Sequence, residues 1–243
     1  MAVPGIRNFE SDGKIIMESF FDTREEASVA AAGAIEAALA RRLQQQSEAS
    51  LVVSGGTSPV VCLTELAAMP VEWQRVHVLL SDERWVPSSG DDSNEKLIRE
   101  SLLQGNAAEA SFHPFYDGSV SVEQRCDAIE ETIRTLPFPF ACSLIGMGED
   151  GHFASLFPDA ENLKQGLDTD GRQLCLPVNT AASPHPRISL TLAALSRSDT
   201  VVLLFFGAAK RDVYERAKAD SNGYPISRLL VQKRAPVHVY WAP

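Results

Sequence analysis

The chain is short of the features that mark several classes of protein. Its 243 residues carry 22 lysines and arginines against 32 aspartates and glutamates, a formal charge of −10. That deficit of positive charge argues against non-specific binding to nucleic acid or to an anionic membrane surface. A small anionic substrate is still allowed, because a local arginine–lysine cluster outweighs charges lying beyond a Debye length. No apolar run approaches the roughly 20 residues that span a bilayer; the longest, Val201 to Ala209, has nine. Arg7, Glu10 and Asp12 precede any apolar run, which is not how a signal peptide begins. Cys62, Cys126, Cys142 and Cys175 are scattered and form no C-x-x-C pair, so zinc and redox motifs lack their spacing. Free, mostly buried thiols in a reducing cytoplasm are the expectation. Also missing are a G-x-S-x-G elbow, a G-x-x-x-x-G-K-[ST] loop and H-E-x-x-H. His77, His113, His185 and His238 have no metal-ligand spacing. Serine-hydrolase, P-loop and zinc-enzyme readings therefore want for residues.

What is present is an ordinary globular composition, 44% hydrophobic and 22% charged. A chain of this size buries roughly 70% of its extended surface on folding, ample for one large core. Apolar strands are expected at Lys14–Phe20, Ser50–Ser54, Val76–Ser81, Ala141–Gly146, Thr200–Phe206 and Pro236–Trp241, the last closing the sheet. Helices are expected from Thr23 to about Gln46, Pro59 to Met69, Ser93 to Leu103, Ser121 to Thr135 and Ala208 to Ala219. Arg187–Ser196 reads as a short strand turning into a helix. Thr23 with Glu26, and Ser121 with Gln124, are spaced as capping boxes. Pro59 suits a first helical position. Unbroken apolar strands each returned by a helix indicate a mostly parallel sheet covered on both faces. With no repeat or linker visible, residues 1–243 read as one α/β domain.

In such sheets ligands collect beyond the carboxyl ends of the strands, where helix N-termini present free N–H groups. Four polar or glycine-rich segments stand at such ends. Gly55-Gly56-Thr57 lets backbone approach an anion and adds a hydroxyl; it serves equally as a plain turn with Ser58 as N-cap. Asp82-Glu83-Arg84 brings a carboxylate and a guanidinium to a strand end, although a solvated loop with a surface ion pair explains it slightly better when taken alone. Gly146-Met147-Gly148-Glu149-Asp150-Gly151-His152 has the G-x-G-x-x-G spacing of a dinucleotide loop. Yet Pro158 interrupts any long helix, and no apolar strand precedes Asp168 or Asp170, so nucleotide binding is rejected. What remains is a glycine loop bearing His152, a side chain suited to accept a proton near neutral pH, with Asp150 near enough to orient it. Finally, Arg187 starts an apolar segment. Lys210 sits in a first helical turn, against the dipole, where a bound anion would relieve the conflict; a solvated surface lysine is the plainer alternative, with Arg211 beside it as a decoy.

Taken in order, these residues resemble the 6-phosphogluconolactonase family. The likeness rests on Ser54-Gly55-Gly56-Thr57, on Ser81 to Val86, on the run Gly146 to Pro158, on Pro186 to Thr191 and on Gly207 to Lys210. The resemblance implies a three-layer αβα sandwich with a Rossmann-like sheet. It also implies cytoplasmic hydrolysis of 6-phosphogluconolactone to 6-phosphogluconate in the pentose phosphate pathway. No metal, organic cofactor or obligate protein partner is implied. By the same resemblance His152 is the base that activates water, and Asp82 and Arg84 line the site as further catalytic candidates. Arg187 and Lys210 hold phosphate with Gly55, Gly56 and Thr57, and Gly148 and Asp150 complete the substrate site.

The related glucosamine-6-phosphate isomerase/deaminases share the Gly-Gly-Thr turn and the histidine loop. They carry a glutamate where this chain has Phe157, which moves no proton. A sugar-phosphate sensor without turnover is a third reading, but no basic helix-turn-helix pattern accompanies the domain.

Overall fold

The computed structural model describes residues 6–11 and 14–243; Asp12, one of the N-terminal charges noted above, lies outside them. The architecture follows from buried strands that have no polar face. In β3 (Ala49–Val53) every residue is buried, and β10 (Val201–Phe206, Val-Val-Leu-Leu-Phe-Phe) is buried up to its last residue. Strands of this kind need cover on both faces.

They belong to an eight-stranded sheet in the order β1-β2-β11-β10-β7-β3-β4-β6. The further members are β1 (Ile6–Ser11), β2 (Lys14–Phe20), β4 (Val76–Leu80), β6 (Ser111–His113), β7 (Cys142–Ile145) and β11 (Val237–Ala242). All neighbours pair in parallel except β1, which runs antiparallel to β2 at the edge. Flanking helices make this the three-layer αβα arrangement. Helix α1 (Arg24–Gln45) packs across β3, β7, β10 and β11, and beside α2 (Val60–Ala67). Ala27, Ala31, Ile35, Ala38 and Leu39 form its buried stripe. Helix α7 (Ala208–Ala219) packs against α8 (Pro225–Val231). The remaining helices are α3 (Asn94–Ser101), α4 (Val122–Thr135) and the single turns α5 (Leu163–Gly166) and α6 (Leu192–Leu195).

Both expected capping boxes are formed, Thr23 with Glu26 and Ser121 with Gln124. Each satisfies two orphan N–H groups at a helix start. All four cysteines are free and buried. Two expectations change. Helix α2 begins one residue late, with Pro59 itself as N-cap and no side-chain cap from Ser58. And β11 does not close the sheet; it lies inside it, between β2 and β10.

A second, three-stranded antiparallel sheet was not legible in the sequence. It joins β5 (Asp82–Arg84), β9 (Arg187–Leu190) and β8 (Cys175–Val178) in the order β5-β9-β8. Because β5 follows β4 after Ser81 alone, this sheet hangs from the carboxyl end of the main one. It carries Asp82, Arg84 and Arg187 into a common region.

The chain steps outward from β3 to β4 and β6, then returns to β7 on the other side of β3 before continuing to β10 and β11. The direction of winding therefore reverses between β3 and β7. That is the crevice where open α/β sheets bind ligands.

Candidate active site

The loops after β3, β4, β7 and β10 leave four adjacent strands at one end of the sheet. They enclose a cavity of about 370 Å³ whose wall includes Gly55, Gly56, Thr57, Asp82, Arg84, Gly148, His152, Arg187 and Lys210. Every residue singled out in the sequence thus converges on one place except Asp150, which stands behind His152. A larger cleft of about 980 Å³ runs along Leu163, Lys164, Tyr224 and Arg228, and contains none of these residues. Size does not pick out the chemistry.

His152 is held by its own loop. Its Nδ1 lies 2.5 Å from Asp150 Oδ1, and its backbone N–H donates to the same oxygen at 3.1 Å. A proton on Nδ1 donated to that carboxylate leaves Nε2 as the acceptor nitrogen. Burial works against ionisation of Asp150, but the His152 side-chain and backbone hydrogen bonds outweigh it and hold the carboxyl below its ordinary value. The loop closes with Gly148 N–H donating to the His152 carbonyl at 2.9 Å and Gly151 N–H to the Gly148 carbonyl at 3.1 Å. Gly148 cannot be another residue without rearrangement, since a Cβ there would run into the His152 ring and the Asp150 carboxylate. The next turn puts Ala154 at φ 48°, a left-handed conformation uncommon outside glycine. It brings Phe157 against His152.

Asp82 is 5% exposed and Glu83 fully buried, so the surface-ion-pair reading of this segment fails. It is a strand of the second sheet, and its two carboxylates are satisfied internally, as buried charges must be. Glu83 accepts from Arg84 N (2.8 Å), Asn94 N (2.7 Å), Glu95 N (2.7 Å) and Ser93 Oγ (3.1 Å), anchoring the start of α3. Asp82 accepts from Ser81 Oγ at 2.8 Å and Ser155 Oγ at 2.6 Å, and lies 3.5 Å from Arg187 Nη1. Arg84 Nη1 donates to the Asp92 carbonyl (2.7 Å) and Asn94 Oδ1 (3.0 Å).

Arg187 and Lys210 are the cations best placed for an anion. Burial lowers the Arg187 value from its ordinary one, while Asp82 pushes it back up. The Nε atoms of Arg84 and Arg187 are both buried with no hydrogen-bond partner among the described residues. Lys210 lies in the first turn of α7, which has no acidic residue there and no side-chain cap at Gly207. Burial lowers its value too, with Glu149 opposing. Arg211 points elsewhere: its guanidinium packs 4.4 Å from the Phe20 ring centroid and 4.3 Å from that of Trp241. The decoy and the candidate are separated by the helical turn.

Two residues escaped the sequence reading, one on the cavity wall and one just behind it. Asn94 is 2% exposed, donates to the Asp82 carbonyl at 2.8 Å and occupies the space beside Gly55. Ser155 is fully buried and bonds both Asp82 and Arg187. Neither carries a local signal, because each acquires its partners from a strand distant in sequence.

A glycine-built histidine loop faces two partly buried arginines across the switch-point crevice. The sequence pattern of the glucosamine-6-phosphate isomerases/6-phosphogluconolactonase family matches residues 22–241. This chain belongs to that family. It is 41% identical over 224 residues to the 6-phosphogluconolactonase of Caulobacter vibrioides, covering 91% of this chain and 95% of that protein. To the 6-phosphogluconolactonase of Mesorhizobium japonicum it is 39% identical over 223 residues, covering 92% and 94%. The crystal structure of a 6-phosphogluconolactonase from Shewanella baltica superposes with a TM-score of 0.88 at 35% identity, covering 93% of this chain and 97% of that one.

Proposed function

We propose that this protein hydrolyses 6-phospho-D-glucono-1,5-lactone to 6-phospho-D-gluconate, the hydrolytic step of the oxidative pentose phosphate pathway, in the cytoplasm. One observation carries the reading: a histidine with its Nδ1 bound to a carboxylate shares a cavity wall with Arg187 and Lys210. A base at one point and cations for phosphate at another fit a substrate with an ester carbonyl and a remote phosphate. The 6-phosphogluconolactonases it resembles supply the substrate class.

A six-membered lactone is an activated ester, so a positioned water and a base suffice without a covalent nucleophile. His152 Nε2 takes a proton from the water as its oxygen bonds to C1. Donors on the wall, Arg84 or backbone N–H groups, stabilise the oxyanion. The tetrahedral intermediate then collapses with cleavage of the bond from C1 to the ring oxygen. The imidazolium returns the proton to that departing oxygen, which becomes the C5 hydroxyl. Arg187, Lys210 and the Gly55-Gly56-Thr57 turn hold the phosphate, so that binding far from C1 orients the carbonyl. Asp150 keeps the imidazole in the tautomer this needs.

A deaminase reading lacks an acid, since Phe157 stands where that chemistry needs a carboxyl. The test is a coupled assay: glucose-6-phosphate dehydrogenase generates the lactone and 6-phosphogluconate dehydrogenase reports the acid. The protein should accelerate the second phase, and His152→Ala should lower kcat by about 10²- to 10⁴-fold, the range for removing a general base. Tight binding of 6-phosphogluconate without acceleration would replace the enzyme by a sensor.

A further inference from the structure

Arg187 is buried yet incompletely tied. Its side chain is 12% exposed. Its Nη1 donates to Ser155 Oγ at 3.2 Å and lies 3.5 Å from Asp82 Oδ2. Its guanidinium carbon sits 5.1 Å from the Phe157 ring centroid. Its Nε has no partner among the described residues. The fork is therefore fixed at one tine and along one face. A planar guanidinium recognises phosphate through paired parallel N–H bonds, so its orientation matters as much as its presence.

Ser155 decides that orientation. Its hydroxyl hydrogen is committed to Asp82 Oδ2 at 2.6 Å, so its lone pairs face Arg187. Its backbone N–H donates to Ser189 Oγ, two residues along β9 from Arg187. Asp82 is itself fixed by Ser81 Oγ, and the single hydroxyl hydrogen of Ser54 is shared between Ser81 Oγ at 2.8 Å and the Leu144 carbonyl at 3.0 Å, at the end of β7. A line of buried hydroxyls and one carboxylate thus runs from the central strands to the arginine. Its last member lies three residues from His152, in the turn where the Leu156 N–H donates to the Phe153 carbonyl at 3.0 Å.

We propose that Ser155 is a positioning residue for substrate phosphate: it aims Arg187, and through the turn it shares with His152 it registers the phosphate-holding cation against the base. The proposal rests on the lactonase reading above. Ser155→Ala should raise KM for 6-phosphogluconolactone about tenfold while kcat changes less than threefold. Glucono-δ-lactone, which has no phosphate to meet Arg187, should be turned over as by the wild type. In an Arg187→Ala background, Ser155→Ala should add nothing to KM, because contacting residues in one network are not additive. Equal losses on both lactones, or additive effects of the two substitutions, would overturn the proposal and leave Ser155 a packing residue. If Ser155→Ala is insoluble, the isosteric Ser155→Cys, a weak donor and acceptor, poses the same question. If the wild type turns over neither lactone, the lactonase reading falls by itself. The same cycle read by calorimetric binding of 6-phosphogluconate then decides the role of Ser155: non-additive losses support it and additive ones refute it.

Discussion

The imidazole of His152 rests on the ring of Phe157, with centroids 4.1 Å apart and planes 30° from parallel. Phe157 is 4% exposed, and the guanidinium of Arg187 lies over the same ring. An aromatic side chain thus stands between the imidazole of His152 and the guanidinium of Arg187. On this side the imidazole meets an apolar ring and no carboxyl. This suits ester hydrolysis, in which one group takes and returns one proton. It does not suit ring opening and isomerisation, which call for a second.

Gly148→Ala should disable the enzyme without unfolding it. The added methyl occupies space held by the His152 ring and the Asp150 carboxylate, so the imidazole must move. Misplacing a catalytic group by about 1 Å costs on the order of 10²-fold. We expect a loss of that size in kcat on both phosphorylated and unphosphorylated lactone, with a native circular dichroism spectrum. A wild-type rate would mean that His152 is not the base.

Phosphate recognition should weaken on the alkaline side earlier than an ordinary lysine would dictate. Burial holds the Lys210 value below its usual range, about 10.4 for a free side chain. The ammonium is charged below the folded-state value and neutral above it. Affinity for 6-phosphogluconate should therefore be full at neutral pH and decline as pH rises through that lowered value. Calorimetric titration across the alkaline range tests this, using Lys210→Arg, which stays charged throughout. A decline equally steep in Lys210→Arg would assign it to another group.

Glu83→Gln should cost stability. Both carboxylate oxygens of Glu83 are filled by donors: Arg84 N and Asn94 N on one, Ser93 Oγ and Glu95 N on the other. An amide must set its NH₂ against one pair of these donors. Leaving buried donors unpaired costs roughly 1–3 kcal/mol, which for a chain of this size lowers Tm by about 2–12 °C. Thermal denaturation measures it, and an unchanged Tm would show that the start of α3 does not depend on this anchor.

The inner strands of the main sheet were readable because they are largely apolar and its long helices carry their caps in the sequence; the edge strands β1 and β6, mixed in polarity, were not. Nor was the second sheet. Its first strand is Asp82-Glu83-Arg84, three charges that local reasoning assigns to water; only partners on α3, β9 and the loop after β7 make their burial tolerable. In the site, His152 and Lys210 were legible from glycines and a misplaced charge, signals confined to a few residues. Asn94 and Ser155 were not, since a buried amide or hydroxyl draws its meaning from what folds against it.

The position of β11 constrains how the protein comes to be made. The strand of highest residue number lies between β10 and β2, so the strands near the N-terminus join the main sheet only through residues synthesised more than 200 positions later. While the nascent chain emerges, β2 has no parallel neighbour and β10 keeps an open edge. Both are surfaces on which strands of other chains can pair. Assembly of this sheet must await translation of Val237–Ala242.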